Sequence, residues 1–109
     1  MSGKAARIVL TEKQQDMLLW ITQSTTVSQR LMQRALIVLL AFERRGNDDI
    51  ADEVQLNRKQ VGLWRRRWKQ SFDALVSIEC RETPARLYRA IEDVLSDATS
   101  RRSFREVYG

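Results

Sequence analysis

Apolar positions recur along this chain at the three-and-four spacing of helices, and the pattern divides it into five of them. Thr11-Glu-Lys-Gln14 reads as a capping box, with Thr11 at the N-cap and Gln14 at the third helical position. It predicts a first helix that buries Met17, Leu18, Trp20 and Ile21. After the polar break Gln23–Thr26, the run Thr26-Val-Ser-Gln29 offers a second capping box, and a second helix reaches to about Arg45. Its middle, Ala35 to Phe42, is apolar on every side and is expected at the centre of the fold. Arg44 and Arg45 suit the negative end of the helix dipole, and Gly46 suits a left-handed stop. Asn47 is expected to cap a short third helix, Asp48 to Val54. Gln55-Leu-Asn57 reads as a tight turn whose Asn57 caps a fourth helix running to about Leu75. Ser77 to Glu82 is ambiguous. Thr83-Pro84 then starts a last helix with Leu87, Ile91, Val94 and Leu95 on one face.

The most specific pattern spans Asn47 to Arg66. Two helices that cross steeply at a short turn need a small residue early in the first, apolar residues on both sides of the turn, and two more one turn apart on the second. Ile50 and Ala51, Val54, Leu56, then Val61 and Trp64 meet these demands. The departure is Gln55, where glycine would cost less in a left-handed turn. On the fourth helix Val61, Trp64, Trp68 and Phe72 form one stripe, expected in the core. Lys59, Gly62, Leu63 and Arg66 fall opposite. Arg58 and Lys69 flank that face on one side, Gln60 and Arg67 on the other. From Arg58 to Lys69 there are six basic residues and no acid.

This is the pattern of a helix that enters a DNA major groove. Arg58, Lys59, Gln60, Gly62, Leu63 and Arg66 are the expected base-reading positions. Arginine and lysine suit guanine, glutamine suits adenine, Leu63 a thymine methyl, and Gly62 permits close approach. Asn57, Arg65, Arg67 and Lys69 are expected at phosphates, joined by Lys4 and Arg7 of a basic N-terminal arm over residues 1–10.

Composition narrows the alternatives. The net charge of +5 over 109 residues points to a polyanionic partner. Histidine is absent and Cys80 is the sole cysteine, which removes the commonest general base, the Ser-His and Cys-His nucleophile pairs, and any disulfide or multi-cysteine zinc site. Cys80 itself is expected as a small, partly buried apolar residue. The acidic cluster Asp48, Asp49, Asp52 and Glu53 suits the positive end of a helix better than a metal site. Trp20, Trp64 and Trp68 are all expected in the core. No apolar run is long enough to span a bilayer and no signal-peptide core precedes the first helix, so a cytoplasmic location is expected.

The stretch Arg34-Ala-Leu-Ile-Val-Leu-Leu-Ala-Phe-Glu-Arg-Arg-Gly46, followed by Ile50-Ala51, Val61 and Trp64-Arg-Arg-Arg-Trp68, resembles the N-terminal region of bacterial insertion-sequence transposases related to the mariner superfamily. The resemblance covers roughly residues 8–98. It implies an all-α, homeodomain-like helix-turn-helix bundle with an extra N-terminal helix and a C-terminal helix, which recognises transposon terminal inverted repeats near a bacterial nucleoid. The helical DNA-binding domain would span residues 11–98, with the helix-turn-helix at 47–69, and a basic tail would occupy 99–109. The catalytic carboxylates of such transposases lie in a further domain, so no catalytic residue, metal or cofactor carries over. The expected partner is double-stranded DNA, with a homodimer admitted, and neither membrane nor small-molecule substrate. Two other functions fit the residues: a stand-alone transcriptional regulator, and a protein-interaction module whose basic face meets an acidic partner.

Overall fold

A computed structural model of the chain describes residues 7–96, and within them every regular element is an α-helix. The helices are α1 (Glu12–Gln23), α2 (Gln29–Phe42), α3 (Asn47–Val54), α4 (Arg58–Arg81) and α5 (Pro84–Val94). Residues 1–6 of the expected arm, Lys4 among them, and everything from residue 97 onward, including the expected basic tail 99–109, lie outside the described residues. The described part of the arm is not free of the fold. Ile8 is buried and Leu10 packs beside it, so the core begins three residues before the first cap.

Four helices start where a short polar side chain takes the first free N–H groups. Thr11 accepts from the Gln14 amide at 3.1 Å while the Gln14 side chain accepts from the Thr11 amide at 3.2 Å, the reciprocal box expected. Asn57 caps α4 and Thr83 caps α5, with Pro84 in the first turn of α5. The second helix departs from expectation: Ser28, not Thr26, is its N-cap, accepting from Leu31 at 3.1 Å. Thr26 bonds instead to the hydroxyl of Ser24.

The α2–α3 corner departs further. α2 ends at Phe42, and the left-handed residue that turns the chain is Arg44 (φ 67°) rather than Gly46. Gly46 has ordinary φ (−76°) and is the N-cap of α3, so Asn47 is the first helical residue and not the cap. Glycine offers no side chain, and α3 accordingly begins without a side-chain cap. At the next turn Gln55 does take the left-handed conformation (φ 62°).

The core joins all five helices. Ala35, Ile37, Val38, Leu39, Leu40 and Ala41 of α2 are buried, which is the central position expected of a helix apolar all round. Val61, Trp64, Trp68, Leu75 and Ile78 line one side of α4, and Leu87, Ile91 and Val94 of α5 close over its far half. Ile78 continues the stripe of Leu75, so the ambiguous stretch after Ser77 is helix to Arg81. Phe72 is only half-buried; the stripe passes through Ser71 instead.

Trp20 is the main error of the hydrophobic reading. It is 54% exposed, whereas Leu18 and Ile21 are fully buried. Cys80, expected partly buried, is exposed.

Neither α2, α3 nor α5 carries a basic residue in its last turn. Their terminal carbonyls, or those just beyond, are met by long side chains from other helices. Arg65 of α4 donates to the Arg45 carbonyl at 2.8 Å, Gln33 of α2 to Val54 at 3.0 Å, and Arg34 of α2 to Leu95 at 2.9 Å. Carbonyls left without intrahelical partners are thereby satisfied across the fold.

Candidate nucleic-acid interface

The first half of α4 is the candidate. Three residues separate it from α3, and its direction is set by two local features. The left-handed Gln55 reverses the chain, with the Leu56 amide donating back to Ala51 at 3.1 Å. The Asn57 side chain then accepts from Gln60 at 2.8 Å. Val61, Trp64 and Trp68 face inward, each no more than 1% exposed, which fixes the rotation of the helix about its axis. Trp64 is held from two sides. The Arg34 guanidinium stands 4.1 Å and that of Arg67 4.9 Å from its ring centroid, and its indole N–H donates to Gln60 Oε1 at 3.3 Å.

With the core face fixed, the outward face carries Lys59 and Arg66, both exposed, with Gly62 between them and Leu63 half-buried against the core edge. A Cβ placed on Gly62 would stand 3.4 Å from the Arg66 guanidinium and 3.7 Å from the Asn47 amide. The missing side chain therefore opens a cleft between α4 and the first turn of α3, with room for alanine. Arg58 is exposed at the mouth of that cleft and pairs with Asp48 at 2.9 Å. Glu53 pairs with Arg45 at 2.6 Å, and Asp49 adds to the field that raises the Arg45 pKa, after the Glu53 bond. Three of the four acids of α3 thus act on arginines. Among the described residues no group of three or more Cys, Asp or Glu is placed to hold a metal ion.

The phosphate positions fare unevenly. Lys69 is exposed and Asn57 offers its amide N–H donors beside the cap. Arg67 is half-buried over Trp64. Arg65 is a correction: it is 4% exposed, donates to the Arg45 carbonyl, and has its pKa pushed down by desolvation. It braces the α2–α3 corner and presents no guanidinium to a phosphate. Its place on the edge of the apolar stripe gave no sign of this, because the partner carbonyl is twenty residues away.

Sequence reasoning also passed over Arg44 and Arg45 as ligands, treating them as dipole partners. Together with Arg7 and Arg65 they line a hollow of about 720 Å³ at the α2–α3 corner, beside Ile8, Val9 and Phe42. No acid lines it. Arg65 of α4 and Arg7 both line this hollow, so it adds exposed cations, Arg7 and Arg44, beside α4. Gln60 is constrained in a different way. A bidentate pair with adenine needs its oxygen as acceptor for the base amino group, and that oxygen is engaged with Trp64. No protein-family model, curated protein or solved structure matches the chain.

Proposed function

We propose that the chain is a homeodomain-like helix-turn-helix unit that binds double-stranded DNA sequence-specifically, with the first half of α4 in the major groove. One observation carries the reading. Burial of Val61, Trp64 and Trp68 turns Arg58, Lys59, Arg66 and Lys69 outward on a helix half that holds no acid. A rigid cationic helix presented by a packed frame matches what groove entry requires. Arg66 and Lys59 then read base edges, and Lys69, Asn57, Arg44 and Arg7 meet the flanking phosphates. The biological target in this proposal is the terminal inverted repeat of a transposon, the chain acting as the DNA-binding part of a transposase or as a truncated competitor of one. Selection of binding sites from a random duplex pool tests it. A defined sequence that matches paired inverted ends in the surrounding genome is the expected outcome. Enrichment of no sequence sinks the base-reading mechanism, and a defined site lying only in promoters gives the domain to a regulator.

A further inference from the structure

A groove of about 830 Å³ lies between α1, the last turns of α4 and the length of α5. Glu79, in its wall, follows Lys69 by ten residues, about 15 Å along the helix, so the groove is well apart from the basic half of α4. Its floor is apolar, formed by Met17 and Trp20 of α1 with Leu87 and Tyr88 of α5. Trp20 is 54% exposed, and its ring stands edge-on to that of Tyr88 with centroids 5.7 Å apart. A large indole held in place by a second ring, yet uncovered, has the character of an interface anchor.

The rim is acidic. Asp16, Glu79, Glu82 and Glu92 line the groove against Lys13 and Arg89, an excess of negative charge within a chain of net charge +5. Glu79 accepts from the Thr11 hydroxyl at 2.7 Å. The Tyr88 hydroxyl lies near Glu92. Burial, followed by the nearby Glu92 charge, pushes the Tyr88 pKa up, so that hydroxyl stays a neutral donor at physiological pH. Glu82 is reached by Arg86 at 3.8 Å, an exposed pair too loose to cancel its field. Two copies set groove to groove would oppose like charge, which argues against self-pairing here.

We propose that this groove receives a basic amphipathic helix of a partner protein. The partner's apolar stripe seats on Trp20, Leu87 and Tyr88, and its lysines or arginines meet the carboxylates at the rim. The α5 wall from Pro84 to Glu92 is about 13 Å long, which accommodates two to three turns. The site is independent of DNA binding by α4.

The test uses the intact chain and three synthetic peptides with one leucine stripe composition: an amphipathic helix with arginines flanking the leucine stripe, its glutamate counterpart, and the arginine peptide with its order scrambled. Binding is read by calorimetry and by acrylamide quenching of tryptophan fluorescence. Acrylamide is neutral, so the carboxylates do not repel it. Trp64 and Trp68 are buried, and the quenchable signal reports Trp20. The arginine helix is expected to bind one to one and to suppress quenching, and the other two peptides to do neither. Glu82→Gln combined with Glu92→Gln should weaken binding about three- to tenfold at low salt. Trp20→Ala should abolish binding while the melting temperature stays close to that of the parent. Equal binding of the glutamate helix, or undiminished binding to the Trp20→Ala chain, overturns the proposal. So does quenching that is already suppressed in the free chain and restored by Phe104→Ala with Tyr108→Ala, because the groove would then belong to the chain's own C-terminal segment.

Discussion

Trp64 lies in the core and also carries two guanidinium groups on its ring, so its loss is felt in two ways. Trp64→Ala removes a large buried side chain and should cost about 3–5 kcal/mol of stability. Denaturant unfolding that shifts by less than about 1 kcal/mol would contradict its place in the core. Arg65 tests a different distinction. Arg65→Met leaves the Arg45 carbonyl without its donor and should cost about 1–3 kcal/mol, while the salt dependence of DNA binding stays as it was. A phosphate ligand would behave in the opposite way, with the fold intact and the salt slope reduced. Two backbone positions at the same corner separate stability from binding. No atom lies within 4 Å of a Cβ added to Gly46, and α3 has no side-chain cap, so Gly46→Ser should add about 0.5–1 kcal/mol. Arg44 pays the steric penalty of a left-handed non-glycine residue. Arg44→Gly should therefore raise the melting temperature and lower DNA affinity together, a combination that neither a purely structural nor a purely functional Arg44 would give.

At the scale of the element, the proposed function divides α4 into a part that reads and a part that holds. Lys59→Ala or Arg66→Ala should relax preference at one or two base pairs by about 1–3 kcal/mol. Lys69→Ala should weaken all sequences alike and reduce the salt slope by about one unit. Single-base variants of the selected site distinguish the two, and uniform losses from both classes of mutant would leave only charge or shape recognition. The division of α4 into core and outward faces was legible in the sequence, because an apolar residue every third or fourth position determines which side of a helix is buried whatever lies against it. The caps at Thr11, Asn57 and Thr83 were legible for a similar reason: each acts on amides two or three residues away. The rest depended on distant neighbours. Thr26 and Ser28 both precede a plausible first turn, and packing of Leu31 goes with Ser28. Trp20 and Ile21 look alike in composition, but helix packing places one in the core and the other at an open groove. Arg65 sits at the boundary of the stripe, where only the position of the α2–α3 corner decides between water and interior. Arg44 rather than Gly46 turns the chain there. That outcome runs against the local preference of both residues, and is set by the Arg44 amide bonding to Ala41 and that of Arg45 to Leu40.

The whole molecule carries its charge unevenly, with cations along α4 and at the α2–α3 corner and an acidic groove at the far end of α4. If about five phosphates are neutralised, the logarithm of DNA affinity should fall with that of salt at a slope near −4 to −5. A flat response would remove the phosphate contacts from the mechanism. The three cross-fold donors, Arg65, Gln33 and Arg34, have a consequence for how the chain comes apart. Helix ends ordinarily fray, opening a turn at a time at little cost and exchanging their amide protons with solvent long before the protein unfolds. Here the ends of α3 and α5 and the loop after α2 are each tied to a side chain rooted in another helix, and Arg34 also packs on Trp64. To loosen one end is to disturb a second element. Amide protons in the last turns of α3 and α5 should therefore exchange on the timescale of global unfolding, as is expected of the middle of α2. If α4 enters a DNA groove as proposed, such a frame is expected to hold it in register.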